Sequence, residues 1–489
     1  MFKYLRQLAG ESLVYGLSGI ISRFLSILLV PLYTRIFSPE DYGVMSLVST
    51  TMAVVAIFVV LALDNSAHRW YWDAEDTADR KSTLASWAWC QIGISVLFAA
   101  AIFAVSDRLG LIIVGRSEAS VYFRLTALAL PLSVLNGVVT NWLRMQRRPW
   151  ATMTFALGQS LLTILLTAVF VVMLRWGLEG VYRAQLITAF IITIVSGLIL
   201  RDWISPAYFR WTRLRAMLRY ALPLIPAALA YWVVSFADRY FVQYYTNTAE
   251  VGLYQVGMSV AALVALATGA FQQAWAPFAL SIHKRLDART VYASTFLAYT
   301  WLMSAISVGL ALLSPEAIRL IATERYVGAS PVVGILAFSY VVIGLGYIAG
   351  VGLAIVKVTT PTGIAVVVAA MANVLLNILL VPRMGKVGSA VATLLSQAIV
   401  PLYLFYRSQK LYPIPYRFGP AVGVFGLSFI LIVLGSQLQF RTLWEGIFVK
   451  LVLVALFVPA AFVLRIVTPM QVRSMLRMSR ASGHKSVTT

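Results

Sequence analysis

The sequence predicts an all-α integral membrane protein of about fourteen transmembrane helices, set out as two six-helix lobes and two C-terminal helices. Three observations carry that prediction. Of 489 residues, 60% are hydrophobic and 12% charged, with a mean hydropathy of +0.84; a soluble domain carries roughly 25% charged residues. Apolar runs close to the ~20 residues that cross a bilayer recur along the whole chain. Lys and Arg gather on alternate sides of those runs, as the positive-inside rule requires.

The first six runs fall near 13–33, 43–63, 84–105, 119–141, 152–174 and 179–200. The next six fall near 217–241, 251–275, 291–313, 331–353, 362–381 and 387–406, and the last two near 418–437 and 444–466. The polar-ended run at 217–241 fits the pattern least well. With the N-terminus cytoplasmic, cytoplasmic segments hold roughly 25 basic residues, periplasmic loops about 9 and spans about 5, which places both termini in the cytoplasm. The first run is too long for a cleavable signal peptide, and "PLYTRIFSPEDYG" offers no small-residue cleavage site. No segment between runs is long enough for a separate domain. The expected boundaries are 1–208 and 209–409 for the lobes, 410–466 for helices 13 and 14, and 467–489 for a basic cytoplasmic tail.

An internal repeat supports the two lobes. "EDYGVM" at 40–45 matches "AEVGLY" at 249–254, which aligns Asp41 with Glu250 and Gly43 with Gly252. "GLEGVYRAQL" at 177–186 matches "GKVGSAVATL" at 385–394 at nearly the same offset, which aligns Gly177 with Gly385 and Gly180 with Gly388. Six spans is an even number, so the halves share one orientation. Parallel repeats of this kind hold substrate between them in transporters.

Charge decides what such a chamber would take. Arg23 interrupts the first run, and its neighbours at helical spacing are Gly16, Gly19, Ser26 and Ser12. A narrow small-and-polar stripe with an Arg at bilayer depth turns toward protein or water, because a charge at a helix centre costs on the order of 2.5–3.5 kcal/mol. Arg124, Arg183, Arg239 and Lys450 lie in the periplasmic third of later runs. Arg124, Arg183 and Lys450 also have the reach to snorkel to headgroups, and Arg239 has Asp238 beside it. Asp238 is the clearest acid within a run, while Asp64 and Glu179 mark run edges. The expected lining is therefore cationic with too few carboxylates to neutralise it. Such a cavity concentrates anions, and the guanidinium fork suits phosphate.

Other features read more plainly. The formal charge of +21 does not imply nucleic acid, since the basic residues lie in short loops. One cysteine, Cys90, excludes an internal disulfide, and three scattered histidines make a metal site improbable; no cofactor is expected. "RDWISPAYFRWTRLRAMLRYALP" at 201–223 reads as a basic interfacial helix on anionic lipid. Asp73, Glu75, Asp76 and Asp79 read as a solvated acidic loop.

"YGLSGIISRFLSILLVPLYTRIFSPEDYGVMSL" resembles the opening of the O-antigen-type polysaccharide flippases, within the multidrug/oligosaccharidyl-lipid/polysaccharide exporter superfamily. The resemblance continues through "DNSAHRWYWD", "LRMQRRP", "FADRYFVQYY", "EVGLYQVG" and "NVLLNILLVPRMGKVGSAVATLLSQ", which touch spans 1 to 12 in order. It implies a two-lobed, alternating-access transporter of the bacterial inner membrane. Such proteins carry polyprenyl-pyrophosphate-linked oligosaccharide repeat units from the cytoplasmic to the periplasmic leaflet for O-antigen (lipopolysaccharide) or exopolysaccharide export. A polysaccharide polymerase and a chain-length regulator are implied partners. Arg23 falls on the "SR" of the family's first span and Asp238–Arg239 on its "DR". Arg23, Arg239, Arg124 and Arg183 are the expected substrate-binding residues. No acid sits mid-span, so Asp238 and Asp64 stand as weak candidates for ion coupling. A multidrug antiporter of the same superfamily is the alternative and would need buried acids for cationic drugs. A polymerase or ligase would need a periplasmic loop with a catalytic constellation, and the loops near 106–118 and 314–330 hold none; no enzyme is expected.

Overall fold

A computed structural model of the chain describes residues 29–438 and 442–466, with Ile21 and Leu25 as single positions before them. The expectations for Arg23, for most of the first span and for the tail at 467–489 lie outside the described residues. Every regular element among the described residues is a helix. Twelve helical stretches among the described residues, some of them made of two or three consecutive helices, are long and apolar enough to cross a membrane. One of the twelve, Thr360–Leu411, is 52 residues long, or about 78 Å at the helical rise, over twice a bilayer core. Gly385, with φ 54° and ψ −137°, breaks it into two. The two runs expected at 362–381 and 387–406 thus lie on either side of Gly385.

Local chemistry sets the ends of these helices. Ser38 caps Pro39–Val60: the Asp41 amide donates to its Oγ at 3.2 Å, and the Ser38 amide donates to Asp41 Oδ2 at 3.0 Å. This reciprocal box satisfies two otherwise orphaned donors, with Pro39 where a missing N–H costs nothing. At the other end Leu61 and Ala62 take left-handed φ of 50° and 52°. The chain turns there into the separate helix Leu63–Asp73, and Gln91 Nε2 donates to the freed Val60 carbonyl at 2.9 Å. The run at 217–241 resolves into three pieces, Trp211–Ala221, Ile225–Phe236 and Asp238–Tyr245. Pro223 and Pro226, which cannot donate a backbone hydrogen bond, occupy the first joint.

The basic segment at 201–223 differs from expectation. Only Trp211–Ala221 forms its α-helix. Leu214, Met217 and Ala221 are buried in a protein core with Leu84 and Trp87 rather than left to headgroups. Arg213 bonds Asp79, and Asp76 caps the helix Thr77–Leu109 by accepting from the Asp79 amide at 2.6 Å, so part of the acidic cluster is structural.

The chain divides into two compact units: residues to Val256 with 321–326 and 370–389 form the first, and the remainder the second. In the first, Asn136 ties two helices together. Its Oδ1 accepts from Ser196 Oγ at 2.7 Å and its Nδ2 donates to the Ala189 carbonyl at 3.2 Å. In the second, Val308, Leu312, Val424, Leu431 and Phe457 make the core.

Within the first unit the repeat is visible as geometry. Gly177 and Gly385, aligned by sequence, share the left-handed region at φ 58° and 54°. Gly43 and Gly252, also aligned, meet main chain on the opposite helix. A Cβ on Gly43 would stand 1.9 Å from the Thr248 oxygen, and one on Gly252 would stand 1.8 Å from the Pro39 oxygen. Pro39 and Thr248 are themselves repeat partners, so the contact is reciprocal.

Candidate functional site

The first unit holds a small cavity of about 220 Å³ with a mixed polar and apolar lining. Ser46, Ser49 and Thr50 line it from Pro39–Val60, Arg239 from the helix after the 237 joint, and Gln255 from Thr248–Ile282, with Tyr33 and Tyr42 beside them. The helix ends at Ala237 and restarts at Asp238. This brings the acid and the base to one point.

Asp238 is 0% exposed and Arg239 2%. Asp238 Oδ1 accepts from the Arg239 amide at 3.0 Å and from Nη1 at 2.7 Å. Its Oδ2 accepts from Tyr254 OH at 2.5 Å. Arg239 Nη1 also donates to the Ser235 carbonyl at 2.5 Å. Its Nε and Nη2, the edge that grips two oxygens of one anion, meet Gln255 Oε1 at 3.4 and 3.3 Å. Those distances are long for an N–H···O bond. Ser46 Oγ donates to the same Gln255 oxygen at 3.1 Å. The guanidinium lies over the rings of Phe236 and Tyr254 at 5.1 and 5.9 Å. The arrangement is a desolvated ion pair in which both carboxylate oxygens are filled and the guanidinium borders the hollow.

The other expected residues stand apart from this cluster. Arg124 donates to Asp107 at 2.8 and 2.9 Å and to Ser106 Oγ at 2.9 Å, and its side chain is 40% exposed. It joins the helix Ser120–Met145 to the end of Thr77–Leu109. Arg183 donates to Glu179 one turn away at 2.9 and 2.5 Å and lies over Trp176 at 4.9 Å. Asp64 sits in the first turn of the Leu63–Asp73 helix. Lys450 is 7% exposed and donates to Glu316 Oε1 at 2.6 Å within the second unit.

The expectation of too few carboxylates is corrected here. Arg124, Arg183, Arg239 and Lys450 each have one, at Asp107, Glu179, Asp238 and Glu316. Except for Asp238, these acids lie at the edges of the apolar runs or outside them, where a span-by-span count misses them. Their side chains reach back to the bases.

Sequence reasoning also missed Gln255, Ser46 and Tyr254. The repeat carried the signal for the first two, since its offset of 209 sets Ser46 and Gln255 opposite each other. A further polar group, Asn373, Asn377 and Ser389, is wholly buried in the first unit. Ser389 Oγ donates to Asn377 Oδ1 at 2.7 Å, and Asn377 Nδ2 donates to the Asn373 carbonyl at 2.9 Å. Two amides one helical turn apart inside "NVLLNILL" were the clue.

Comparison with known proteins gives three findings. Residues 32–331 match the family described as "Polysaccharide biosynthesis protein". Over 318 residues, 63% of this chain, the sequence is 22% identical to the succinoglycan biosynthesis transport protein ExoT of Rhizobium meliloti (strain 1021), and the match spans 61% of that relative's length. In fold, the chain is similar to the lipid II flippase MurJ in its inward closed conformation, with a TM-score of 0.72 and 15% identity over 93% of this chain and 99% of that one. It is also similar to an inward-facing multidrug resistance transporter of the MATE family in the MOP superfamily, with a TM-score of 0.65 and 16% identity over 79% and 94% of the two chains.

Proposed function

We propose, because the chain belongs to the polysaccharide biosynthesis protein family, that this multi-pass membrane protein flips a polyprenyl-pyrophosphate-linked oligosaccharide from the cytoplasmic to the periplasmic leaflet by alternating access. A sugar headgroup cannot cross roughly 30 Å of hydrocarbon unaided, because each stripped polar group costs several kcal/mol. A polar hollow between helices lowers that cost, and no covalent bond is made or broken.

Arg239 is the observation that carries the reading. It is a cation kept out of water beside Asp238, and it lines a cavity together with Ser46, Ser49, Thr50 and Gln255. A pyrophosphate offers it paired oxygens and would replace the loose Gln255 contact. Arg23, which the sequence sets in the first span, is assigned the second grip. Arg124 and Arg183, held by their own carboxylates, are assigned to the path of the headgroup rather than to the grip. The kinship with a succinoglycan transport protein favours an exopolysaccharide unit over O-antigen. The multidrug reading shares the fold, but the buried acid Asp238 has both oxygens taken, by Arg239 and Tyr254, and has none left for a cationic drug.

Complementation tests this. In a strain without its own repeat-unit flippase, the chain should restore surface polysaccharide and clear the lipid-linked sugar facing the cytoplasm. Arg23→Ala should abolish export while the protein stays in the membrane, and Arg23→Lys should recover little. Full export by a folded Arg23→Ala would refute the grip. If Asp238 takes up a proton during transport, Asp238→Asn should change the pH dependence of flipping; an unchanged profile removes Asp238 from coupling.

A further inference from the structure

The helix Asp238–Tyr245 carries the buried ion pair at its start and contributes most of the lining of a second cavity, of about 540 Å³, within the first unit. That volume is inside the range of small-molecule sites. Four rings of this one short helix line it, those of Tyr240, Phe241, Tyr244 and Tyr245. Spacings of three and four residues make such rings neighbours on the helix surface. Ile112 and Gly115 add lining from the segment that ends the long helix begun at Thr77. Charge bias places this end of both helices toward the periplasm.

The rings are held unequally. Tyr240 OH lies 2.8 Å from Thr51 Oγ1, and Gln243 Nε2 donates to the Val114 carbonyl at 3.2 Å, so the helix is pinned through its neighbours. Tyr244, by contrast, is 81% exposed, and Tyr245 is 38% exposed. Their rings stand at 87° with centroids 5.0 Å apart, which offers two faces at a near right angle. Among the described residues, no charged side chain lines the cavity. A phosphate or a metal ion would therefore find no countercharge there. A hydrocarbon tail would suit the rings and Ile112 but would give the phenol hydroxyls no partner. Belt tyrosines anchor singly at a membrane interface; here four rings share one hollow.

We propose that this cavity binds neutral pyranose rings, which on the flippase reading are those of the lipid-linked unit as its headgroup reaches the periplasmic end. The C–H face of a pyranose lies against the negative face of an aromatic ring, and its hydroxyls exchange hydrogen bonds with the phenols. Sugars that bear a carboxylate or a sulfate gain nothing further from such a lining.

The test uses the full-length protein in nanodiscs and cellotetraose, a neutral soluble tetrasaccharide without lipid, with binding read by saturation-transfer NMR. The ring C–H protons should be saturated. Tyr244→Ala should raise the dissociation constant about three- to tenfold, the scale of one aromatic contact, and Tyr244→Phe should keep most of the affinity. Because Tyr244 is largely exposed, neither change should lower the unfolding temperature; Tyr245→Ala, made separately, should weaken binding in the same direction. Farnesol in excess should leave the sugar signal unchanged. Absence of saturation transfer, an unaltered affinity in both alanine variants, or displacement of the sugar by farnesol would each overturn the proposal. Sugar binding by a chain that fails to restore export would support this site and refute the flippase reading, which keeps the two failures distinct.

Discussion

Among the described residues, the Asp238–Arg239 pair of the first unit and the Lys450–Glu316 pair of the second are the two with the least exposed side chains, and they differ in how they are finished. Asp238 has both oxygens filled, by Arg239 and Tyr254, and Arg239 has a backbone carbonyl and an amide besides. Glu316 has one oxygen filled, by Lys450, and the other empty. Desolvating two charges is repaid only when the geometry is good and the remaining lone pairs are met. The first pair meets that condition from within and fixes the joint at 237. The second leaves a lone pair over. Both oxygens of Asp238 are taken, which leaves the guanidinium, not the carboxylate, bordering the hollow.

Breaking the saturated pair should cost most. Asp238→Ala strands the Arg239 charge and should destabilise by about 3–5 kcal/mol, seen as a large fall in denaturation midpoint in detergent. A drop no greater than that of a surface variant would show that the pair is not structural. Tyr254→Phe removes a single hydrogen bond to the carboxylate and should cost about 1.5–3 kcal/mol by the same measure. In the second unit, Glu316→Leu with Lys450→Met should be neutral or stabilising by up to about 1–4 kcal/mol, since apolar residues replace a poorly finished pair. A loss of several kcal/mol there would erase the contrast. Smallest of all, a double-mutant cycle on Arg124 and Asp107, both well exposed, should give a coupling below about 1 kcal/mol.

Much of the fold could be read in advance because the bilayer imposes a single length scale. The Thr360–Leu411 helix shows why even its double crossing was legible: two apolar runs flank Gly385, and the repeat had marked that glycine through Gly177. The 217–241 run was harder. Its hydropathy is continuous, while the breaks at Pro223 and at Asp238 depend on missing donors and on a buried pair. The site was half legible. "DR" inside an apolar run announces Asp238 and Arg239, yet their partners Tyr254 and Gln255 lie 16 residues on in sequence, across a turn. Glu316 was invisible for the same reason: it stands in a short helix after Leu312 and reaches Lys450 134 residues away. Hydropathy reports what a residue prefers, and only packing reports whom it meets.

The crossing of Gly43 and Gly252 carries one more consequence. Its two surfaces are bare polypeptide, so no rotamer change can ease a foreign methyl group there. The seam has no moving parts of its own. It admits one closed fit, which each of the two matching segments supplies for the other. A side chain added at either glycine therefore disturbs both segments at once.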